Sequence, residues 1–450
     1  MKRAALFLIV VLSSGLTNSQ EIKKEYFDNG QLKSIEHYDA NGKKTGEAKT
    51  YYENGHLQKT GNFENGQPNG EAKLYYETGE LHVISNYKNG QLQGEAKMFY
   101  KNGQLQEIGN YENGKLTGLR KEYFDTAQLK GIGDYNADDK RTGEWKLFYE
   151  NGQLKQVGNF EDGIQVGEVN TYYETGQLKA IANYDNGQLT GEGKRYYENG
   201  QLHETAYFEN GQQTSEAKIY YETGQLHKML NYANGKQNGE AREYYENGQL
   251  KELGIIENGK PTGANKQFYE TGELHKKVNF KNGQLKGEAK TYYENGEIQE
   301  IVNYENGQQH GEAKAYYESG QLHKTVNYEN GKQVGEFKVF YPTGQLERIE
   351  NYKNGQLTKG KVFYESGKVK YIGNFKNGQQ TGKAKSYYEN GQLHEEEIFE
   401  KGIQVGEKRT FYETGVLKST EYFKNGVPTS DSKYYDKNGN LMTKKNKRKQ

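Results

Sequence analysis

The chain of 450 residues contains no cysteine, which excludes a disulfide, a thiolate metal site and a cysteine nucleophile. For the same reason it is not expected to be a lipoprotein, whose lipid is carried on a cysteine. Hydrophobic residues make up only 32% of the chain, and Lys+Arg and Asp+Glu number 61 each. A balanced charge provides no electrostatic attraction for nucleic acid or for an anionic membrane. We therefore expect no nucleic-acid partner.

Long apolar runs are also missing, apart from one at the N-terminus. Lys2 and Arg3 precede an apolar run at residues 4–12 that is too short to cross a bilayer as a helix, and small and polar residues follow it at 13–20. This pattern predicts a signal peptide at residues 1–19 and export to the periplasm, the cell surface or the medium. An uncleaved anchor is the alternative. We expect no transmembrane segment in the mature chain.

Low hydrophobicity at zero net charge is typical of disordered chains, but such chains have few aromatic residues. This chain contains 40 tyrosines and 17 phenylalanines. Tyrosine fills β-strands and tolerates water at its hydroxyl. The composition therefore predicts β-structure without a thick hydrophobic core.

An aromatic pair recurs at a spacing of 24 residues, with occasional slips of one. Periods of this length are typical of stacked repeat proteins. The first members of the pairs are Tyr26, Tyr51, Tyr75, Phe99, Tyr123, Phe148, Tyr172, Tyr196, Tyr220, Tyr244, Phe268, Tyr292, Tyr316, Phe340, Phe363, Tyr387, Phe411 and Tyr434.

Each repeat contains two turns. In residues 288–311, a strand candidate is followed by Asn295-Gly296, a returning strand at 298–304, and then Asn306-Gly307. The first turn often carries Thr-Gly, which favours a type I turn followed by a bulge glycine, whereas the second favours type I′. Insertions of one residue fall at the second turn. The turns lie too close together for crossover helices, so the strands must be antiparallel.

The predicted fold is therefore all-β. We expect an elongated, single-layer antiparallel β-meander of 24-residue hairpin repeats, with no helix beyond the signal peptide. Residues 20–442 would form one continuous array of about 18 units and about 35 strands. Residues 443–450 would form a basic C-terminal tail.

Candidate catalytic and metal-binding residues do not converge. The histidines that follow the first-turn leucine are His82, His203, His227, His275, His323 and His394. Lysine takes the same position in other repeats, which indicates a solvent-facing slot. Equivalent histidines would lie about 9.6 Å apart, too far to share one metal ion readily. Acidic pairs lack an evident cleft, and no P-loop or Ser/His/Asp order is present. We expect no enzyme activity, no metal and no cofactor.

The tyrosine columns are the remaining candidate site. They either pack between repeats or present aromatic rings to a sugar or a peptide, and both roles can hold on opposite faces. The candidate binding residues are Tyr52, Tyr76, Tyr100, Tyr149, Tyr173, Tyr197, Tyr221, Tyr245, Tyr293 and Tyr317.

The segment GQLTGEGKRYY at residues 187–197 resembles the MORN repeat, in which G-x-x-x-G-x-G precedes an aromatic residue. The recurring YYENGQL core is similar to the bacterial MORN-variant group, whose members are often described as YwqK-type antitoxins of toxin–antitoxin systems. The resemblance spans about residues 22–442 and implies a scaffold or partner-binding rod. Two features depart from it: most repeats have Ala at the second glycine, as at Ala72, and an export signal does not suit a cytoplasmic antitoxin.

Two classes of function remain open on this basis. The first is a non-enzymatic, extracytoplasmic scaffold that binds a protein partner whose identity the sequence does not reveal. The second is a repeat module that binds cell-envelope carbohydrate through exposed tyrosine columns.

Export is expected to depend on the N-terminal segment. Deletion of residues 1–19 should leave the protein in the cytoplasm, because the basic and apolar parts of the signal would be lost. Cell fractionation followed by N-terminal sequencing measures this. Recovery of the full-length chain in the cytoplasm with an intact N-terminus would contradict it.

Overall fold

A computed structural model describes residues 21–442 of the chain. The predicted signal peptide at 1–19 and the basic tail at 443–450 lie outside the described residues. The chain divides into two compact units, with described residues 21–224 in the first and 225–442 in the second. The prediction of one continuous array over 20–442 stays a prediction.

The first unit contains only β-strands connected by turns. Strands joined by a turn pair antiparallel, because Asn-Gly and Thr-Gly turns reverse the chain between them. The strands are β1 (Glu21–Tyr26), β2 (Leu32–Tyr38), β3 (Gly46–Tyr51), β4 (Leu57–Glu64), β5 (Gln67–Tyr75), β6 (Leu81–Lys88), β7 (Gln91–Leu92), β8 (Gly94–Phe99), β9 (Leu105–Glu112), β10 (Lys115–Tyr123), β11 (Leu129–Tyr135), β12 (Arg141–Phe148), β13 (Leu154–Glu161), β14 (Ile164–Tyr172), β15 (Leu178–Asp185), β16 (Gln188–Tyr196), β17 (Leu202–Glu209) and β18 (Gln212–Tyr220).

The second unit repeats the same pattern. Its strands are β19 (Leu226–Ala233), β20 (Lys236–Tyr244), β21 (Leu250–Glu257), β22 (Lys260–Phe268), β23 (Leu274–Lys281), β24 (Gln284–Leu285), β25 (Gly287–Tyr292), β26 (Ile298–Glu305), β27 (Gln308–Gln309), β28 (Gly311–Tyr316), β29 (Leu322–Glu329), β30 (Lys332–Phe340), β31 (Leu346–Lys353), β32 (Gln356–Phe363), β33 (Val369–Lys376), β34 (Gln379–Tyr387), β35 (Leu393–Glu400), β36 (Ile403–Gln404), β37 (Gly406–Phe411), β38 (Leu417–Lys424), β39 (Val427–Pro428) and β40 (Lys433–Tyr434). The predicted antiparallel β-meander is confirmed. Within residues 21–442, no helix has the length and apolar content needed to span a membrane.

The two turns of each repeat differ as predicted. At the first turn, Gly55 has a φ of 86° and its amide donates to the Tyr52 carbonyl over 2.9 Å, which is a type I turn followed by a left-handed glycine. At the second turn, Asn65 and Gly66 have φ values of 52° and 84° between the paired residues Glu64 and Gln67. This is the type I′ hairpin.

The two inserted second turns depart from type I′. At residues 39–43, the Asp39 amide donates to the Lys43 carbonyl, and Gly42 with a φ of 74° donates to the Asp39 carbonyl. The turn at 136–140 is built in the same way. One added residue therefore converts the second turn into the geometry of the first, because a type I′ turn has room for only two loop residues.

The two faces of the sheet carry different side chains. The small-residue face has a central row of paired small residues, such as Ala48 opposite Gly61. The ion-pair face carries pairs of an acidic and a basic residue two positions apart on the same strand. Lys49 Nζ, for example, lies 2.8 Å from a Glu47 carboxylate oxygen. Salt bridges of the same kind recur in most repeats, so the charges of this face are largely neutralised locally.

The central row of the small-residue face supplies most of the buried residues. Ala217 and Ala384 are 2% and 1% exposed. In the second unit, Val302, Ala313 and Val326 form a buried cluster with aromatic rings packed against it. In these units the side chains of the row are covered by flanking aromatic rings and not by a second layer of structure. Each of them is therefore small.

Trp145 occupies the central row of the first unit and is 5% exposed. It fits because its neighbours on both sides are Gly133 and Gly158. A Cβ atom added at Gly133 would meet the indole ring at 2.3 Å. The indole Nε1 donates to the Asp134 carbonyl over 3.1 Å, which satisfies its one donor.

Ala127 stands where other first turns carry glycine and has a φ of 68°. Left-handed backbone is costly for alanine, so Ala127→Gly should stabilise the protein by about 1 kcal/mol. The matched change, Gly103→Ala, should destabilise the protein by a similar amount, because the backbone of Gly103 is left-handed with a φ of 82°. A Cβ atom added there meets nothing within 4 Å, so backbone strain alone causes the loss. Urea unfolding midpoints measure both. Equal midpoints for Ala127→Gly and the wild type would contradict the argument.

Candidate functional site

The ten candidate tyrosines all lie at the first-turn edge of the sheet. Each is the second aromatic of its pair, and each is half-buried. Tyr52 marks the start of the series, and Tyr221 is in the last repeat of the first unit. The structure thus places the candidates in equivalent positions, and their role in binding stays a prediction.

The phenol hydroxyls of this column connect one repeat to the next. The Tyr52 hydroxyl donates to the carbonyl of Tyr75, the first aromatic of the following pair, over 2.9 Å. Among the candidates the same bond is made by Tyr76, Tyr100, Tyr149, Tyr173, Tyr197, Tyr245, Tyr293 and Tyr317. Tyr269, Tyr341, Tyr364 and Tyr388, which were not among the candidates, make it too. Tyr412 makes a similar bond, but to the carbonyl of Tyr435, the second aromatic of the following pair. We call this series the tyrosine ladder.

The pKa values of several ladder phenols are raised. Burial is the main cause for Tyr100, and the neighbouring carboxylates of Asp125 and Glu122 add to it. Burial and Glu222 likewise raise the pKa of Tyr197. A raised pKa moves deprotonation of these two hydroxyls further above neutral pH, so both remain hydrogen-bond donors there.

Turn asparagines and glycines add further bonds between repeats. Asn54 Nδ2 donates to the Glu77 carbonyl over 2.8 Å, while its Oδ1 accepts the His56 amide over 2.9 Å. At the opposite edge, the Gly66 amide donates to the Lys44 carbonyl over 2.9 Å. Both edges are therefore held in register by bonds that skip one strand.

A β-bulge next to the first turn explains the Lys/His slot. Tyr75 pairs with Leu81 and Leu74 pairs with Val83, which leaves His82 without an opposite residue. Bulges re-aim side chains, and the imidazole of His82 stacks on the Tyr76 ring with centroids 4.2 Å apart. We call a slot residue in this position a cap. The slot was predicted to face solvent, but its histidines are half-buried against rings.

Lysine caps lie over the ring in the same way. The Lys155 Nζ atom lies 5.4 Å from the Tyr149 ring centroid. Both cations and imidazole rings are attracted to the face of a tyrosine, which explains why the slot accepts either residue. Capped rings are Tyr76, Phe124, Tyr149, Tyr173, Tyr197, Tyr245, Tyr269, Tyr317, Tyr364, Tyr388 and Tyr412.

Four slots hold Gln or Glu instead: Gln58, Gln106, Gln299 and Glu347. At the first of these, a cavity of about 450 Å³ opens on the small-residue face of the first unit. The rings of Phe27 and Tyr52 line it together with Gln58.

The carboxylates around this cavity exceed the cations. Glu25, Glu36, Glu53 and Glu77 line it, against Lys33 alone. Lys33 Nζ lies 3.5 Å from Glu25. Burial alone would raise the pKa of Glu36, but hydrogen bonds from Lys44 and Tyr38 hold it below its usual value.

Charged side chains in the central row are likewise neutralised. Arg120 contacts Glu107 through two nitrogens, at 3.0 and 2.8 Å, and Glu122 at 2.8 Å. Lys408 bridges Glu395 at 3.0 Å and Glu397 at 3.2 Å. Over residues 21–442 no group of three or more His, Asp or Glu is arranged to hold a metal ion. These clusters are compensated ion pairs within a sheet.

The carboxylates of the first turns form an exposed row beside the ladder. In most repeats one acid lies directly after the second aromatic: Glu53, Glu77, Asp125, Glu150, Glu174, Glu198, Glu222, Glu246, Glu270, Glu294, Glu318, Glu365, Glu389 and Glu413. We call this row the acidic rim. The repeated tyrosine, cap and acid are the features available for recognition.

Sequence reasoning identified the tyrosines but not their hydrogen bonds or their caps. The signal for the caps was present, because the slot after leucine is restricted to a few residue types. The signal for the hydroxyl bonds was not, because their acceptors are backbone carbonyls.

Comparison with known families supports the repeat assignment. The model for the MORN repeat variant matches 16 segments: residues 22–40, 44–65, 68–89, 92–113, 141–162, 165–186, 189–211, 213–234, 237–259, 261–282, 285–306, 309–330, 333–354, 358–377, 380–401 and 404–425. These segments cover most of the described residues. The fold is a β-hairpin repeat array within each unit, and the chain belongs to the MORN repeat variant family.

Other comparisons add little. No curated protein matches the chain. Three crystal structures align, entitled TcdB2-TccC3-TEV, TcdB2-TccC3-Cdc42 and TcdB2-TccC3 without hypervariable C-terminal region, with identities of 12%, 11% and 12% and TM-scores of 0.15, 0.13 and 0.14. They cover 92%, 92% and 94% of this chain, which spans only 27% of each of theirs. Such TM-scores support no inference about this chain.

The ladder hydroxyls should contribute to stability. Tyr173→Phe removes a donor that lies 2.7 Å from the Tyr196 carbonyl while keeping the ring. We expect a loss of about 1 kcal/mol in the free energy of unfolding, measured by urea denaturation. Tyr172→Phe is the control, because within residues 21–442 no hydrogen bond of that hydroxyl is present. Equal losses in the two variants would contradict a specific role for the ladder.

Proposed function

We propose that this protein is a non-enzymatic repeat scaffold that binds a protein partner outside the cytoplasm. The observation that carries the proposal is the repeat-to-repeat hydrogen bonding of the tyrosine ladder. It holds identical turns, rings and carboxylates at a spacing of two strands, about 9.6 Å, within each unit. A regular row of this kind offers a partner many equivalent contacts, as solenoid surfaces do.

Several observations support a binding role over catalysis. The charged clusters at Arg120 and Lys408 are compensated ion pairs, and the cavity at Tyr52 has no nucleophile paired with a base. MORN-variant repeats are commonly binding scaffolds, and their description as YwqK-type antitoxins is a narrower form of the same proposal. An antitoxin role would require the exported chain to meet its toxin outside the cytoplasm.

The second candidate is a module that binds cell-envelope carbohydrate. It is favoured by one observation: the ladder rings are half-exposed and evenly spaced, and aromatic rings can stack on sugars. Against it, caps already cover one ring face in most repeats.

A comparison of two probes decides between these candidates. The purified chain, immobilised, is exposed to envelope extract before and after proteinase treatment, and in parallel to a glycan array. Saturable capture of one protein that is lost after proteinase treatment supports the scaffold. Binding that survives proteinase, together with a glycan-array signal, would favour the carbohydrate module, and no capture from either source would contradict both.

A further inference from the structure

At the first-turn edge, one face of the aromatic ring is covered by a side chain of the same chain in most repeats. A lysine or histidine from the bulge lies on the tyrosine ring of its own repeat. The Nζ-to-centroid distances range from 5.3 Å at Tyr173 to 5.9 Å at Phe124, within the reach of a cation–π contact. Within the chain, this ring face therefore accepts an ammonium group or an imidazole ring.

At Tyr52 that position is not filled by a cation. Gln58 occupies the bulge slot and brings a neutral amide, and the cavity of about 450 Å³ lies there. The Tyr52 hydroxyl is already used, since it donates to the Tyr75 carbonyl over 2.9 Å. What remains for a ligand is the ring face, not the hydroxyl.

The charges around the cavity favour a cationic ligand. Glu53 and Glu77 are exposed and line the cavity, and within residues 21–442 neither carboxylate takes part in an ion pair. The one lining cation, Lys33, is paired with Glu25. A positive group at the Tyr52 ring would therefore meet uncompensated carboxylates, as well as the negative face of the ring.

We propose that the cavity at Tyr52 receives a lysine or arginine side chain of a partner protein. The partner supplies in trans the cation that Lys155 and its equivalents supply within their own repeats. The occupant is thus a basic segment of a protein, and the proposal rests on the scaffold function proposed above. A neutral glycan fits less well, because its hydroxyls can donate hydrogen bonds to the carboxylates but bring no positive charge to compensate them.

The test uses the full chain with ring-¹³C-labelled tyrosine at pH 8. The Tyr52 ring signal is identified by its loss in Tyr52→Phe. The probes are N-acetyl-Gly-Lys-Gly-amide, the same peptide with Nε-acetyllysine, and a chitotriose. We expect the lysine peptide to shift the Tyr52 signal saturably, and the acetylated peptide and the sugar to leave it unchanged, because acetylation removes the charge.

Two reciprocal variants provide matched controls. Gln58→His places a stacking ring over Tyr52 without adding charge at pH 8, as His82 does over Tyr76, so the fold should tolerate it. It should weaken the lysine-peptide titration at Tyr52 about tenfold or more. His275→Gln removes the cap from Tyr269, whose ring centroid lies 4.3 Å from that of His275, and should create a new lysine-dependent shift at that ring.

Any of the following results would overturn the proposal. These are no saturable shift of Tyr52 with the lysine peptide, an equal shift with the acetylated peptide, or an unchanged titration in Gln58→His. A shift with chitotriose alone would identify the cavity as a glycan site and would also overturn it. Failure here is distinguishable from failure of the scaffold function, because capture of a protein by the whole chain would persist with Gln58→His if the partner binds elsewhere.

Discussion

Within each unit of residues 21–442 no second layer packs on the sheet, so the sheet must obtain its cohesion within its own plane, and the tyrosine ladder meets that constraint. Each ladder hydroxyl reaches past the neighbouring strand to a backbone carbonyl of the next repeat, as Tyr173 does at 2.7 Å. The backbone hydrogen bonds of a β-sheet join only adjacent strands. Bonds that skip a strand couple whole hairpins, so each repeat stabilises the next without a thick hydrophobic core.

The ladder also determines which side chains fit around it. A phenol that points along the edge leaves its ring face open to the adjacent bulge, where Lys or His lies on it. The central row of the small-residue face mostly holds small side chains. Larger ones occur where neighbouring glycines leave space, as at Trp145, or where acids compensate the charge, as at Arg120 and Lys408. The slot holds Lys, His, Gln or Glu in different repeats, which makes it a place where repeats can differ in function.

Much of the fold could be predicted from the printed sequence. The spacing of Asn-Gly pairs indicated hairpins, and the contrast between Thr-Gly and Asn-Gly separated the two turn types, because only certain residues accept positive φ. The geometry of the inserted turns could not be read in this way, since Asp39 and Asn136 adopt the first-turn form only when one more loop residue is present. The candidate tyrosines were predicted as a column. Their prediction as a binding face did not foresee that a lysine or histidine cap covers the ring in most repeats.

The sequence by itself determined the repeat, the antiparallel connectivity and the position of every turn, because local backbone chemistry decides these features and recurs in each unit. The tertiary structure alone decided what each tyrosine does. Whether a hydroxyl meets the carbonyl of the next repeat, and whether Gln58 leaves a cavity where His82 covers a ring, depends on atoms more than twenty residues apart or displaced by a bulge. Such contacts follow from register and side-chain direction, which the order of residues specifies only through the folded sheet.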